Sequence, residues 1–119
     1  MTRTELIDQI DALRKLGEPN WDSYGADPIS AYATESAKQF VEAIWGQLGP
    51  RIQLAIGPRP DGGISVLVRG AGEIKVEVLF PATSQMRPSY LLMRPGTVKD
   101  KGQIYDVKDF TRTVLPLVS

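Results

Sequence analysis

Residues 51–80 read RIQLAIGPRPDGGISVLVRGAGEIKVEVLF, and the period of this stretch decides the fold. Ile52, Leu54 and Ile56 alternate with Arg51, Gln53 and Ala55. Ile64, Val66 and Val68 alternate with Ser65, Leu67 and Arg69, and Ile74, Val76, Val78 and Phe80 with Glu73, Lys75, Glu77 and Leu79. Successive side chains of a strand point to opposite faces, so a period of two with one apolar set predicts three strands that pack on one side and meet water on the other. Their connectors, Gly57 to Gly63 and Gly70 to Gly72, are short and rich in Gly and Pro, which suits hairpins of an antiparallel meander.

Toward the amino terminus the period lengthens. Thr2 with Glu5 fits a capping box, and Leu6, Ile10 and Leu13 recur at helical spacing, flanked by Ile7 and Leu16, which predicts a first helix over about 3–16. Gly17 and Pro19 stop it. Ala37, Phe40, Val41, Ile44, Trp45 and Leu48 predict a second helix over about 30–48, opening at Asp27-Pro28 or Ser30 and closing at Gly49-Pro50. Toward the carboxyl terminus, Ser89 to Arg94 reads as a fourth strand and Gln103-Ile104-Tyr105 as a short fifth, within a sheet spanning about 51–105. In the final element, about 106–116, Val107, Phe110, Val114 and Leu115 favour a short helix capped by Asp106 and stopped by Pro116, although its threonines would also suit a strand. A single switch from helical to strand period predicts one α+β domain over 1–119. Two N-terminal helices should pack on one face of an antiparallel sheet of three to five strands.

Composition removes most chemistry. Fourteen Lys plus Arg balance fourteen Asp plus Glu, and neither Cys nor His occurs, so thiolate nucleophiles, disulfides, imidazole bases and Cys/His metal sites are excluded. No apolar h-region or long apolar run appears, and a cytoplasmic protein without a membrane partner is expected.

The stretch Asn20-Trp21-Asp22-Ser23-Tyr24-Gly25-Ala26-Asp27-Pro28-Ile29, followed by an amphipathic helix and then by Pro60-Asp61-Gly62-Gly63-Ile64 opening a strand, resembles a scattered set of small bacterial and mobile-element proteins of uncharacterised function. These share an N-W-D-x-Y-G-A-x-P-I signature and a P-D-G-G hairpin. The resemblance covers roughly residues 5 to 80 and implies an architecture without an activity. Small proteins of mobile elements often act as inhibitors or antidotes that occupy a partner's surface, and that association supplies the expected class.

Trp21, Asp22 and Tyr24 could form a recognition loop, since Trp and Tyr are frequent binding hot spots. Packing of Trp21, an Asx-turn at Asp22 or Asn20 and a helix start at Asp27-Pro28 make a structural role the stronger reading. Pro60-Asp61-Gly62-Gly63 leads into a strand and not a helix N-terminus, so it is expected to be a hairpin turn and not a phosphate cradle. Only carboxylates remain for acid-base or metal work: Asp22 with Asp27, Glu73 with Glu77 on one strand face, and Asp100, Asp106 and Asp109. No motif makes them converge, so neither a catalytic site, a metal nor a cofactor is expected.

Residues 84–119 carry Arg87, Arg94, Lys99, Lys101, Lys108 and Arg112 against three aspartates, with Tyr90 and Tyr105 as aromatic faces. Stacking rings with cations suit a nucleic-acid-binding module, but the surplus is small for one. The expected function is a non-enzymatic module that binds another protein or a second copy of itself. A nucleic-acid binder, and then a carboxylate-dependent hydrolase, are the alternatives. Leu67 and Leu79 stand out on the polar side of the strands beside Arg69, and with Tyr90 they complete the candidate partner-binding residues. Either they remain open to a partner or the C-terminal segment folds over them. The second is favoured, because Phe110, Val114, Leu115, Leu117 and Val118 must themselves be buried.

Overall fold

The computed structural model describes residues 2–16, 27–48, 52–70 and 73–118. Helix α1 spans Arg3–Ala12 and tightens into a 3-10 turn over Leu13–Leu16; α2 spans Ala31–Trp45. Five strands follow, β1 (Gln53–Pro58), β2 (Ile64–Arg69), β3 (Lys75–Phe80), β4 (Ser89–Arg94) and β5 (Thr97–Gln103). Helix α3 (Val107–Thr113) and a 3-10 turn at Leu115–Leu117 end the chain. The sheet is an antiparallel meander in the order β1-β2-β3-β4-β5. This is the expected α+β arrangement with its helices on one side.

The helix starts follow from their caps. The Thr2 hydroxyl accepts from the amide of Glu5 at 3.1 Å, and Ser30 Oγ accepts from Ala33 at 2.9 Å, so Ser30 and not Asp27-Pro28 opens α2. Asp106 Oδ1 accepts from the Lys108 amide at 2.9 Å and caps α3. The threonines that left α3 open to a strand reading bond back along the helix. Thr111 donates to the Val107 carbonyl at 2.7 Å and Thr113 to that of Asp109 at 2.8 Å.

Every inward strand residue of the alternation is used. Ile64, Val66 and Val68 from β2 and Val76, Val78 and Phe80 from β3 are buried beneath Leu6 and Ile10 of α1 and Ala33, Ala37, Phe40, Val41 and Ile44 of α2. Burial of branched apolar side chains stabilises by about 1.5–3 kcal/mol each, so this layer dominates the driving force.

The described end of the first of the two stretches, Asp27 onward, meets the second in space. Asp27 donates its amide to the Pro60 carbonyl at 2.7 Å, and Ser30 to that of Gly62 at 3.0 Å, clamping the start of α2 onto the β1–β2 hairpin. Gly62 sits at φ 86°, and a β-carbon there would stand 2.7 Å from the Pro28 carbonyl oxygen, so only glycine serves both the turn and the clamp. Asp61 accepts from the Gly63 amide at 2.9 Å, and the segment is a hairpin turn leading into β2, as expected. Trp21, Asp22 and Tyr24 lie outside the described residues.

Three expectations are corrected. The fifth strand is not Gln103-Ile104-Tyr105 but Thr97–Gln103, with a bulge facing Leu92/Met93. It is an edge strand exposed along most of its length, so no buried set imposes an alternation. Glu73 and Glu77 do not share a strand face, because Glu73 precedes β3 in a turn at φ 65°. The C-terminal segment does not cover Leu67 and Leu79. Phe110 packs its ring edge-on to Phe40 at 5.5 Å and to Tyr90 at 5.8 Å, and Val114, Leu115 and Val118 join the same core as the helices. Phe110, Val114, Leu115 and Val118 thereby complete the core that α2 and the inward side of the sheet form, and an apolar tail gains more by completing one dry core than by starting another.

Candidate binding surface

The strand pairings fix what stands on the second face of the sheet. Ala55, Leu67, Glu77, Leu91 and Lys101 are cross-strand partners in one row running over all five strands. The row on one side of it holds Gln53, Arg69, Lys75, Met93 and Val98, and that on the other Gly57, Ser65, Leu79, Ser89 and Gln103. No helix or strand among the described residues packs over these rows, and none of their side chains belongs to the core or to the apolar groups packed against it.

Leu67, Leu79, Leu91 and Met93 are each partly exposed and make an apolar group at neighbouring register positions of β2, β3 and β4. At its centre is Glu77. Leu67 and Leu91 flank it as its direct partners on β2 and β4, and Leu79 follows two residues along the same strand. The Ser65 hydroxyl donates to Glu77 Oε2 at 2.9 Å, leaving the other carboxylate oxygen with no hydrogen bond among the described residues. Arg69 and Lys75 are directly opposed on β2 and β3, and neither forms an ion pair among the described residues. Like charges in register destabilise a sheet pair, and Glu77, two residues along β3 on the same face, is the carboxylate next to them in these rows. With Lys101, the three rows carry three cations against one carboxylate among the described residues.

Of the candidate residues, Leu67, Arg69 and Leu79 share this face and lie close together. Tyr90 does not. It pairs with Val78 on the inward side, its ring packs on Phe110, and its hydroxyl donates to Asp100 Oδ2 at 3.0 Å. Burial, followed by that hydrogen bond and the charge of Asp100, holds the phenol above the ordinary tyrosine value. The pairing of stacking tyrosines with cations on one sheet face therefore does not form. Asp106 caps α3 and Asp109 faces Arg112 at 3.7 Å, so these carboxylates serve local structure. Among the described residues no group of three or more carboxylates could hold a metal ion.

A second feature was not legible in the sequence. Tyr32 at the start of α2, the β3–β4 connection around Met86 and Arg87, and residues 104–107 line an open cleft of about 440 Å³. Tyr32, Met86 and Tyr105 are 41%, 66% and 71% exposed, so three of the five large apolar side chains most exposed among the described residues converge there. The Arg87 guanidinium lies 4.5 Å over the Tyr105 ring, whose hydroxyl donates to Gln103 Oε1 at 2.9 Å. Met86 and Arg87 fall in a stretch that reads as a plain connector, and only the fold brings these three segments together.

No family model matches the chain, and no curated protein or solved structure matches it either. No helix among the described residues is long and apolar enough to cross a membrane.

Proposed function

We propose that this chain is a non-enzymatic protein-binding module that docks a partner on the face of its sheet over which no helix or strand packs among the described residues, acting as an inhibitor or antidote by occupying that partner's surface. The observation that carries the reading is the group of Leu67, Leu79, Leu91 and Met93 around Glu77, bordered by Arg69 and Lys75, which form no ion pair among the described residues. Partly buried apolar groups surrounded by charge are the composition of an interface core and its rim. Five strands about 4.8 Å apart, each about 20 Å long, give a face of roughly 400 Å², about half of the ~800 Å² per partner of a standard interface. The apolar centre of a docking site fits there, and the strand ends and edges must supply the rest.

Charge selects the kind of partner. Two copies meeting face to face on a two-fold axis would oppose three cations and one carboxylate to the same set, which disfavours a homodimer through this face. A different protein, apolar at its centre and acidic around it, relieves the Arg69–Lys75 repulsion and excludes wrong partners electrostatically. The test compares what the wild-type chain retains from cells that express it with what Leu67→Lys, Arg69→Glu/Lys75→Glu and a helix-side control, Glu42→Lys, retain. Loss of one defined protein by both face variants and its retention by the control is the expected outcome. Retention by all three variants, or recovery of nucleic acid released by moderate salt, contradicts the reading.

A further inference from the structure

We infer that the cleft between Tyr32, Met86 and Tyr105 is a second binding site, and that it takes an acidic peptide segment in which a carboxylate stands next to a large apolar side chain. This does not depend on the sheet face being a docking surface, although the cleft borders that face at Gln103, the hydrogen-bond partner of Tyr105.

Arg87 sets the chemistry. Its guanidinium is exposed, stacked on the Tyr105 ring at 4.5 Å, and in no ion pair among the described residues. Contact with the ring face uses none of the guanidinium N–H donors in a hydrogen bond, and the bond from Tyr105 to Gln103 holds the ring in turn. A guanidinium immobilised this way has already given up much of the rotamer freedom that an exposed arginine loses on binding, and its donor fork matches a carboxylate in two parallel hydrogen bonds.

The neighbouring groups supply the rest of the recognition. Met86 and Tyr32 line the cleft and leave apolar surface in water. Methionine adapts its shape to whatever packs on it, and tyrosine offers a large contact at small entropic cost. Asp106 uses one carboxylate oxygen to cap α3, and with Gln85 it gives the cleft acceptors suited to a peptide's amide hydrogens. The mixture argues against nucleic acid, because one cation beside one carboxylate cannot neutralise a run of phosphates. An open volume of about 440 Å³ accommodates two or three residues of an extended segment and leaves its ends free to continue.

The experiment is an amide and methyl NMR titration of the full chain with three synthetic peptides, N-acetyl-Trp-Glu-amide, N-acetyl-Trp-Gln-amide and N-acetyl-Trp-Lys-amide. The Glu peptide should shift the Met86 methyl and the backbone of Tyr32, Arg87 and Tyr105, saturating near or below about 1 mM. The Gln and Lys peptides, and the Glu peptide against Arg87→Gln, should bind about tenfold or more weaker. Arg87 is exposed, and an unchanged spectrum elsewhere in Arg87→Gln confirms that its fold is intact. Equal binding of the Glu and Gln peptides, absence of saturable shifts at these residues, or stronger shifts there with a thymidine decanucleotide than with the Glu peptide would each overturn the assignment.

Discussion

The backbone carbonyl of Val118 rests against the α-carbon of Gly70, leaving no room for a β-carbon at that glycine. Gly70 follows β2, and its amide donates to Ile74 at 3.0 Å to close the β2–β3 hairpin. One end of the central hairpin is therefore the seat of the C-terminus, and Val118, fully buried, anchors there on the helical side. Held at Gly70 and at Phe110, the segment 110–118 buries Val114, Leu115 and Val118 on the helical side of the sheet and not over Leu67 and Leu79.

Gly70→Ala is expected to unseat the tail and lower stability by about 1–3 kcal/mol, the range for forcing an extra carbon into a packed site. Gly57→Ala in β1, where a β-carbon meets nothing within 4 Å, is the control and should stay within about 0.5 kcal/mol of wild type. Urea denaturation measures both. Limited proteolysis should trim the carboxyl terminus of the first variant and spare that of the second.

Leu67 tests the openness of the second face. Leu67→Lys places an ammonium directly across from Glu77, a favourable cross-strand pair, and exposes little new apolar surface. Its cost should be below about 1 kcal/mol, whereas Phe110→Ala, which empties a site between two aromatic rings, should cost about 3–5 kcal/mol. Equal losses from the two changes would mean that something covers the face.

Tyr90 gives a pH signature. Burial and the bond to Asp100 raise its folded value above the ordinary one, so the folded state holds the phenolic proton more tightly than the unfolded chain. The resulting stability is fully present below about pH 10 and is lost as pH rises through the folded value. Denaturation midpoints of wild type should therefore fall in alkaline solution, and Tyr90→Phe should lose the part of that fall that comes from this phenol. An absorbance titration of phenolate should likewise lose its late-titrating component in the variant.

The sheet and helices were legible because their burial pattern is written in the period of the residues that make them. Val66 and Val68 had to face one way and Leu67 the other whatever the rest did. Tyr90 was not, since Tyr90, Leu91, Leu92 and Met93 are consecutive apolar residues whose parity only the pairing Val78↔Tyr90 resolves. Thr97–Gln103 escaped because an edge strand earns its place from backbone bonds to β4 and not from side-chain burial. The tail's need for burial was visible in Phe110 and Val114, but sequence could not say which face had the gap. The alternation places Leu67, Arg69 and Leu79 on one face; Leu91 and Met93 share that face but stand in the same apolar run as Tyr90, and the walls of the cleft come from three separate segments, so neither is legible in the sequence.

The most direct measurement of the proposed docking face is site-specific photo-crosslinking in cells that express the protein, with a photoreactive amino acid at Leu67 or Leu91 on that face and at Gln39 on α2. Crosslinking of the same single protein from both face positions, absent from Gln39 and abolished by Arg69→Glu/Lys75→Glu, is the result the account predicts. Crosslinks to that protein from Gln39 alone, or none from Leu67 and Leu91 while the wild-type chain still holds its partner, would contradict it.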